Sequence, residues 1–457
     1  MKVSNSPKPE NKSLEIAEDA REKKVEKPSF LRELFLGNFR FDYIYPYPAS
    51  TESRPEFRDY YERFRKFLLE EVDPVQIDEE GDYPKEIVDK LCHMGAFGMK
   101  IPKKYGGLGF SQMEYARVIQ LLGSRDGNLT ALLSAHQSIG VPQPVHLFGS
   151  DTLKKKYLPR CAAGEISAFA LTESHAGSDP GRLLTRAELT PEGDAYILNG
   201  TKLWCTNGSM AKLLAVMAID SETEKISAFV VERDWAGVQV EYRCHFMGLK
   251  ALANAVISFK NVRVPRENLI GEPGKGLRIA LTTLNEGRLS IPNAAVGVAK
   301  ICLQICLKWG NERIQWGKPI GKHEAIAHMI SQMSATTFAM ESLICSATDL
   351  SDKNTFDIRL EAAAAKEWNT CRGWEIIDNT MQIRGGRGYE KETSLGARGE
   401  DALGVERMMR DFRINKIFEG SSEIMHLFMA REALEKHLQI AGKLVKPNSS
   451  LGSKLKA

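Results

Sequence analysis

The chain has 457 residues, a length that suits about three domains and a self-sufficient core. Its 62 Lys and Arg against 59 Asp and Glu leave a net charge of +3, so charge gives no reason to expect a nucleic-acid partner; 43% apolar and 26% charged residues exclude a mostly disordered or collagenous chain. The eight Cys are scattered with no Cys-x-x-Cys pair, which argues against zinc and a disulfide framework and for a reducing compartment.

Residues 1–28 are polar, charged and poor in large apolar side chains, the pattern of a disordered tail. They lack the apolar stretch of a secretory signal and are too acidic for a transit peptide. Residues 29–53 form an aromatic strap, predicted as a short amphipathic helix followed by an extended, Pro-broken segment. Such a strap packs on the main body or meets a membrane or partner.

Residues 54–165 read as an all-α domain. Phe57, Tyr60, Tyr61, Phe64, Phe67 and Leu68 recur at helical spacing, and further helical runs follow at 85–95, 113–127 and 129–147. Near residue 166 the period falls to two. The segment Ala195–Gly208 carries the Asn-Gly of a hairpin turn, and alternating β-branched runs follow near 212–219, 226–233, 238–243 and 255–264. Residues 166–275 therefore read as an antiparallel barrel or sandwich, with no interleaved helices and so no Rossmann unit.

Helical period returns over 276–442 in four long runs, although Pro292 should kink the first or start a new helix. Residues 443–457 are a Lys/Ser-rich tail. The expected fold class is α+β multidomain: an N-terminal all-α domain, a central antiparallel β-barrel domain and a C-terminal four-helix bundle. No window approaches the roughly 20 unbroken apolar residues of a membrane helix.

Generic motifs are uninformative. The glycines of GGRGYE follow a helix, not a strand, so a dinucleotide fingerprint is rejected, and GEPGKG lacks the Ser/Thr of a phosphate loop. Three segments say more. Phe169–Asp179 runs from a strand into a loop of small and hydroxyl residues that can approach a flat polar ring. Trp204 and Thr206 alternate on one strand, so an indole can cover a ring while a hydroxyl meets its edge. Glu419 precedes Gly-Ser-Ser and a new helical run, where Glu423 can act as third-position cap partner and Glu419 as a mobile general base. Singly, each has a plainer reading: a β-turn, a core Trp, a solvated Glu.

Together these segments resemble the acyl-CoA dehydrogenase family over roughly residues 50–440. LTESHAGSD is similar to the family's LTEPGAGSD loop, and LWCTNG to its Trp-x-Thr-Asn-Gly strand. ERIQWGKPI is similar to its Glu-Arg-x-x-Phe-Gly segment, QIRGGRGY to its Gln-x-x-Gly-Gly-x-Gly signature, and IFEGSSEI to the motif that carries the base.

The resemblance implies an FAD enzyme that desaturates acyl-CoA thioesters between Cα and Cβ. Glu419 would be the base, its backbone N–H and a ribityl hydroxyl holding the thioester oxygen while hydride passes to flavin N5. FAD contacts would fall to Phe169, Leu171, Thr172, Gly177, Ser178, Trp204 and Thr206. Arg313, Trp316, Gln382 and Gly386 would reach a neighbouring subunit's FAD, implying a homodimer or homotetramer, and Ser421 and Glu423 would stand at the helix start that meets the adenosine part. Ser178, Asn285, Arg288 and Gly420 would meet the acyl-CoA substrate. Electrons would pass to an electron-transfer flavoprotein.

Some positions depart from the family. Ser174-His175 replaces Pro-Gly, Trp316 replaces Phe, and Thr393–Ala402 looks inserted. The run Leu129–Gly140, with small Ala131 and Ala135 near the pocket's end, resembles very-long-chain members, as does the aromatic strap. This points to a long-chain substrate, a bacterial-type cytoplasmic location and peripheral contact at the inner membrane surface. An acyl-CoA oxidase, a flavoprotein scaffold and a monooxygenase on the same fold are the competing functions; an intact Glu419 counts against the last two.

Overall fold

The computed structural model describes residues 27–48 and 54–445. The expectation of a disordered tail falls outside them for residues 1–26, and that of a loose C-terminal tail from 446 onward. The main helices are α1 (Pro55–Glu70), α2 (Lys85–His93), α3 (Gln112–Arg125), α4 (Gly127–Ser134), α5 (Pro142–Phe148) and α6 (Asp151–Ala162). Strands β1 (Ser167–Ala170), β2 (Arg186–Leu189), β3 (Ala195–Cys205), β4 (Leu213–Asp220), β5 (Ile226–Glu232), β6 (Val238–Arg243), β7 (Ala255–Pro265) and β8 (Leu269–Ile270) follow. Then come α7 (Gly276–Glu312), α8 (Glu324–Lys353), α9 (Arg359–Arg384), α10 (Val405–Phe412) and α11 (Ser422–Val445).

Helix α1 buries the aromatic stripe read from its spacing: Phe57, Tyr60, Phe64, Phe67 and Leu68 face the N-terminal core. Helix α3 starts at a capping box, with Ser111 and Glu114 each accepting from the other's backbone N–H, as the sequence Ser-x-x-Glu favours. It then packs on α7, which runs through the molecule. Pro292 starts no new helix; one helix continues from Gly276 to Glu312. Close packing between α3 and α9 holds the turn that the missing N–H weakens. Helix α7 is also the one helix among the described residues long and apolar enough to cross a membrane, but 78% of its apolar window is buried inside the protein.

The middle sheet differs from the expected barrel. Its strand order is β6-β7-β3-β2-β4-β5-β8 with β1 also on β4, an open path whose ends do not meet. Nor is it purely antiparallel: β1 and β2 both run parallel to β4, pairing Ser167–Ala170 with Leu213–Val216 and Arg186–Ala187 with Ile219–Asp220. Two short strands thus share one edge of β4 end to end, and the loop 171–185 emerges between them. Of the two Asn-Gly pairs in Ala195–Gly208, Asn207-Gly208 lies in the turn after β3. Asn199-Gly200 instead sits inside β3 at a bulge against β7. Gly200, with φ 152°, passes so close to Thr185 that a Cβ would lie 2.4 Å from its Oγ1.

The strap lies on the C-terminal helices. Ser29 caps the helix Phe30–Phe35 and donates from Oγ to Glu361 (2.7 Å), Arg32 pairs with Asp357, and Tyr43 meets Phe356 edge-on. Its second part was expected to be extended, but Phe41–Ile44 form a helical turn, leaving Phe39, Phe41 and Tyr45 exposed.

Candidate active site

Glu419 stands in the turn between α10 and α11 with φ 52°, and Gly420 follows at 97°. Left-handed backbone is costly for a glutamate, so the turn must be held by its surroundings. Two buried cations hold it. Arg288 of α7 donates from Nε to the Glu419 carbonyl (3.2 Å) and from Nη1 to Asn285 Oδ1 (3.0 Å), while Lys366 of α9 donates from Nζ to the Gly420 carbonyl (2.6 Å). The Glu419 Oε2 atom is buried with no hydrogen-bond partner. It rests on the bare Cα of Gly287, where a Cβ would lie 2.2 Å away.

Burial raises the Glu419 carboxyl from 4.5 to about 7, against the pull of Lys366 and Arg288. Between those values the folded protein keeps a proton that the unfolded chain has released, so stability falls as pH rises through that window. Glu419→Gln should therefore be more stable than the parent at pH 8, by about 2–3 kcal/mol, with the gain gone at pH 4. Thermal midpoints across pH would check this; a gain equal at both ends would contradict it.

Across α7 from this turn, α4 continues into a π-helical turn, Ala135–Ile139. Ile139 reaches the same Gly287 as Glu419. His136 locks this turn to β1: its Nδ1 accepts from the Ser167 N–H (3.0 Å), so Nε2 donates to the Phe97 carbonyl (3.1 Å). Burial lowers its pKa to about 4, so it stays neutral at physiological pH. Ala135 is buried in this turn and Ala131 half-buried on α4. Tyr115, Ser138 and Ser290 form a buried hydroxyl chain, with oxygens 3.3 and 2.9 Å apart.

The loop after β1 is pinned by a buried ion pair. Glu173 accepts from Lys202 Nζ (2.7 Å), Thr185 Oγ1 (2.6 Å) and the amides of Leu184 and Thr185, and Lys202 also donates to the Leu171 carbonyl (3.0 Å). Glu173→Ala would strand the Lys202 ammonium and should cost about 3–5 kcal/mol. A denaturation midpoint equal to the parent's would contradict this.

With Glu173 fastened, Ser174, His175, Gly177 and Ser178 stay exposed, and a Cβ on Gly177 would meet nothing within 4 Å. Ser174 and His175 bond to each other (3.2 Å), which fills the place of Pro-Gly without disturbing Thr172, whose carbonyl accepts from Leu203 N (2.9 Å). Phe169 and Leu171 are half-buried at the loop's base.

The expectation that Trp204 and Thr206 alternate regularly on one strand fails. Trp204 has φ 55°, the pairing with β7 shifts between Lys202 and Cys205, and Thr206 lies beyond the strand's end. Lys202 is therefore buried while Trp204 is 56% exposed. This places an open indole beside an open loop of small residues, a cradle that fits a flat flavin. Thr206 accepts from Asn254 at 3.4 Å.

Arg313, Trp316, Gln382 and Gly386 gather elsewhere. Trp309 near the end of α7 stacks with Arg384 (4.4 Å), Arg387 (5.5 Å) and Arg313 (5.9 Å), which brings the ends of α7 and α9 together. Trp316 is 93% exposed, and Gln382 and Gly386 are exposed. Arg313 follows the last residue of α7, about 39 Å along the helix from Gly287. Ser421, not a Glu423 capping box, caps α11: its Oγ accepts from Ile424 N (3.4 Å), and Glu423 is exposed in the first turn. The stretch Thr393–Ala402 includes most of the short helix Glu392–Ala397 and is tied to the turn Gly386–Tyr389 just after α9 by Glu400 pairing with Arg387. Lys366, Gly287 and Lys202 were not anticipated; no local motif distinguishes them from ordinary helix and strand residues.

A helical, sheet and helical layout, a buried carboxylate and an exposed indole beside an open loop of small residues together fit a flavin-dependent oxidoreductase. Family models for the N-terminal, middle and C-terminal domains of acyl-CoA dehydrogenase match residues 54–165, 168–262 and 274–434. The chain belongs to the acyl-CoA dehydrogenase family: it is an FAD-dependent oxidoreductase acting on the CH–CH bond of acyl-CoA. It is 49% identical over 98% of its length to the "Probable acyl-CoA dehydrogenase FadE10" of Mycobacterium tuberculosis, spanning 70% of that protein. It is 35% identical over 96% of its length to the very long-chain specific mitochondrial acyl-CoA dehydrogenase of Macaca fascicularis, spanning 66% of it. A Bacillus anthracis acyl-CoA dehydrogenase solved with FAD is similar over 92% of this chain and 73% of its own, at 29% identity and TM-score 0.79.

Proposed function

We propose that this enzyme desaturates long-chain fatty acyl-CoA thioesters to trans-2-enoyl-CoA, with Glu419 removing the α proton. The observation that carries the reading is the Glu419 carboxylate, buried, unbonded at Oε2 and raised to about 7 in a turn held by two cations. A base with that proton affinity is matched to abstraction near neutral pH. An apolar acyl chain that expels water keeps the affinity high. The Glu419 N–H is the protein's donor to the thioester oxygen, and Asn285, Arg288, Gly420 and Ser178 frame the CoA end. Bound FAD supplies the hydride acceptor at its N5.

Phe169, Leu171, Thr172, Gly177, Ser178, Trp204 and Thr206 hold the flavin of their own subunit. Arg313, Trp316, Gln382 and Gly386 serve a neighbour's FAD, which makes the working enzyme a homodimer or homotetramer, and Ser421 and Glu423 meet the adenosine part. Small Ala131 and Ala135 leave depth for a long chain, in keeping with the very long-chain relative. Electrons then pass to an electron-transfer flavoprotein. We place the enzyme in a bacterial-type cytoplasm, with Phe39, Phe41 and Tyr45 as the surface for peripheral membrane contact.

Anaerobic bleaching of the bound flavin by saturated acyl-CoAs from butyryl to stearoyl tests the reading. Bleaching should be fastest with long chains. A profile peaking at butyryl would reject the long-chain assignment, and a flavin that no acyl-CoA bleaches would reject the activity.

A further inference from the structure

The Lys366 side chain is fully buried, yet it makes no close ion pair with a carboxylate among the described residues. Burying an ammonium without such a pair is costly, so its retention needs a reason. Its one short bond goes to the Gly420 carbonyl (2.6 Å), one residue beyond Glu419. Arg288 grips the preceding carbonyl from the opposite helix. The left-handed pair Glu419-Gly420 is thus clamped at both carbonyls by cations from α7 and α9. Lys366 also lies within the electrostatic reach of Glu419.

We propose that Lys366 is a positioning residue for the base: its hydrogen bond fixes the left-handed turn that aims Glu419, and its charge is part of the field that the carboxylate faces. The proposal rests on the reading of Glu419 as base. The groups facing Glu419 are Lys366 from α9, Arg288 from α7 and Tyr115 from α3. Lys366 itself also faces Glu367, Cys371 and Arg288. Burial lowers Lys366 to about 8, so it is charged over the range in which Glu419 titrates.

Two functions then separate by substitution. Lys366→Gln keeps a donor for the Gly420 carbonyl but removes the charge. Lys366→Met, of similar volume, removes both, and Lys366→Arg keeps both. The pH dependence of flavin reduction by a long-chain acyl-CoA should shift upward by about one unit in Lys366→Gln, because loss of a nearby cation raises a carboxyl. Lys366→Met should show the same shift and a further drop of about tenfold in the plateau rate, from loss of the turn's anchor. Lys366→Arg should restore the parent midpoint. A second readout does not depend on turnover: the infrared carboxylic-acid band absent from Glu419→Gln should titrate with the same upward shift in the flavin-loaded Lys366→Gln protein.

If the parent itself is not bleached by acyl-CoA, the base assignment fails. If the parent is bleached and Lys366→Gln titrates at the parent midpoint, or cannot fold with flavin, the positioning role is overturned while the base assignment stands. Should Lys366→Met alone fail to fold, the Lys366→Gln midpoint decides.

Discussion

Glu419→Gln is expected to reduce its flavin with acyl-CoA about 10³- to 10⁴-fold more slowly than the parent, with flavin content and acyl-CoA affinity retained. The substitution preserves shape and the carbonyl bonds to Arg288 and Lys366 but leaves no group that can take the α proton. No neighbour can replace it. Arg288 and Lys366 are cations that already hold carbonyls, and burial pushes Tyr115 up to about 12, so it carries no charge at neutral pH. Single-turnover bleaching, with ligand binding measured separately, is the check. A rate within tenfold of the parent would remove Glu419 from the role of base.

Much of this architecture was legible in the sequence because it is local. The stripe of α1 depends on residues within a few positions of one another and appears as its spacing dictates. The switch of period near 166 also marks the first strand. What failed depends on distant partners. Nothing within β1 or β2 signals that both share an edge of β4 in parallel, and Asn199-Gly200 has the composition of a turn. Only the approach of Thr185 makes it a bulge. The same bulged strand turns Trp204 out and buries Lys202, which regular alternation would have placed on one face.

The site divides in the same way. Glu419 stood out because a carboxylate before Gly-Ser-Ser and a helix start is a compact pattern. Lys366 sits in an Ala-rich helical run and reads as a solvent-facing lysine until α9 is packed against the turn. Arg288 and Gly287 lie in one Asn-Glu-Gly-Arg stretch. Only the fold shows that the arginine grips the base's backbone while the glycine makes room for its carboxylate.

That last contact gives the second large expectation. Gly287→Ala should lower the rate of flavin reduction about 10²-fold while leaving the protein folded and flavin-bound. Position 287 is helical, where alanine is intrinsically favoured over glycine by about 1 kcal/mol, so the backbone gains by the change. The new methyl, however, would sit 2.2 Å from Glu419 Oε2 and 3.0 Å from Ile139 Cγ2. The turn is clamped at both carbonyls, so the carboxylate must swing instead, and a displacement of about 1 Å at a reacting group costs on the order of 10²-fold. Because the effect runs through Glu419, it should vanish in the double variant: Gly287→Ala with Glu419→Gln should be no slower than Glu419→Gln alone. Additive losses would mean that Gly287 serves the substrate channel rather than the base. An unchanged single variant would mean that the carboxylate is free to move, contrary to a turn held by Arg288 and Lys366.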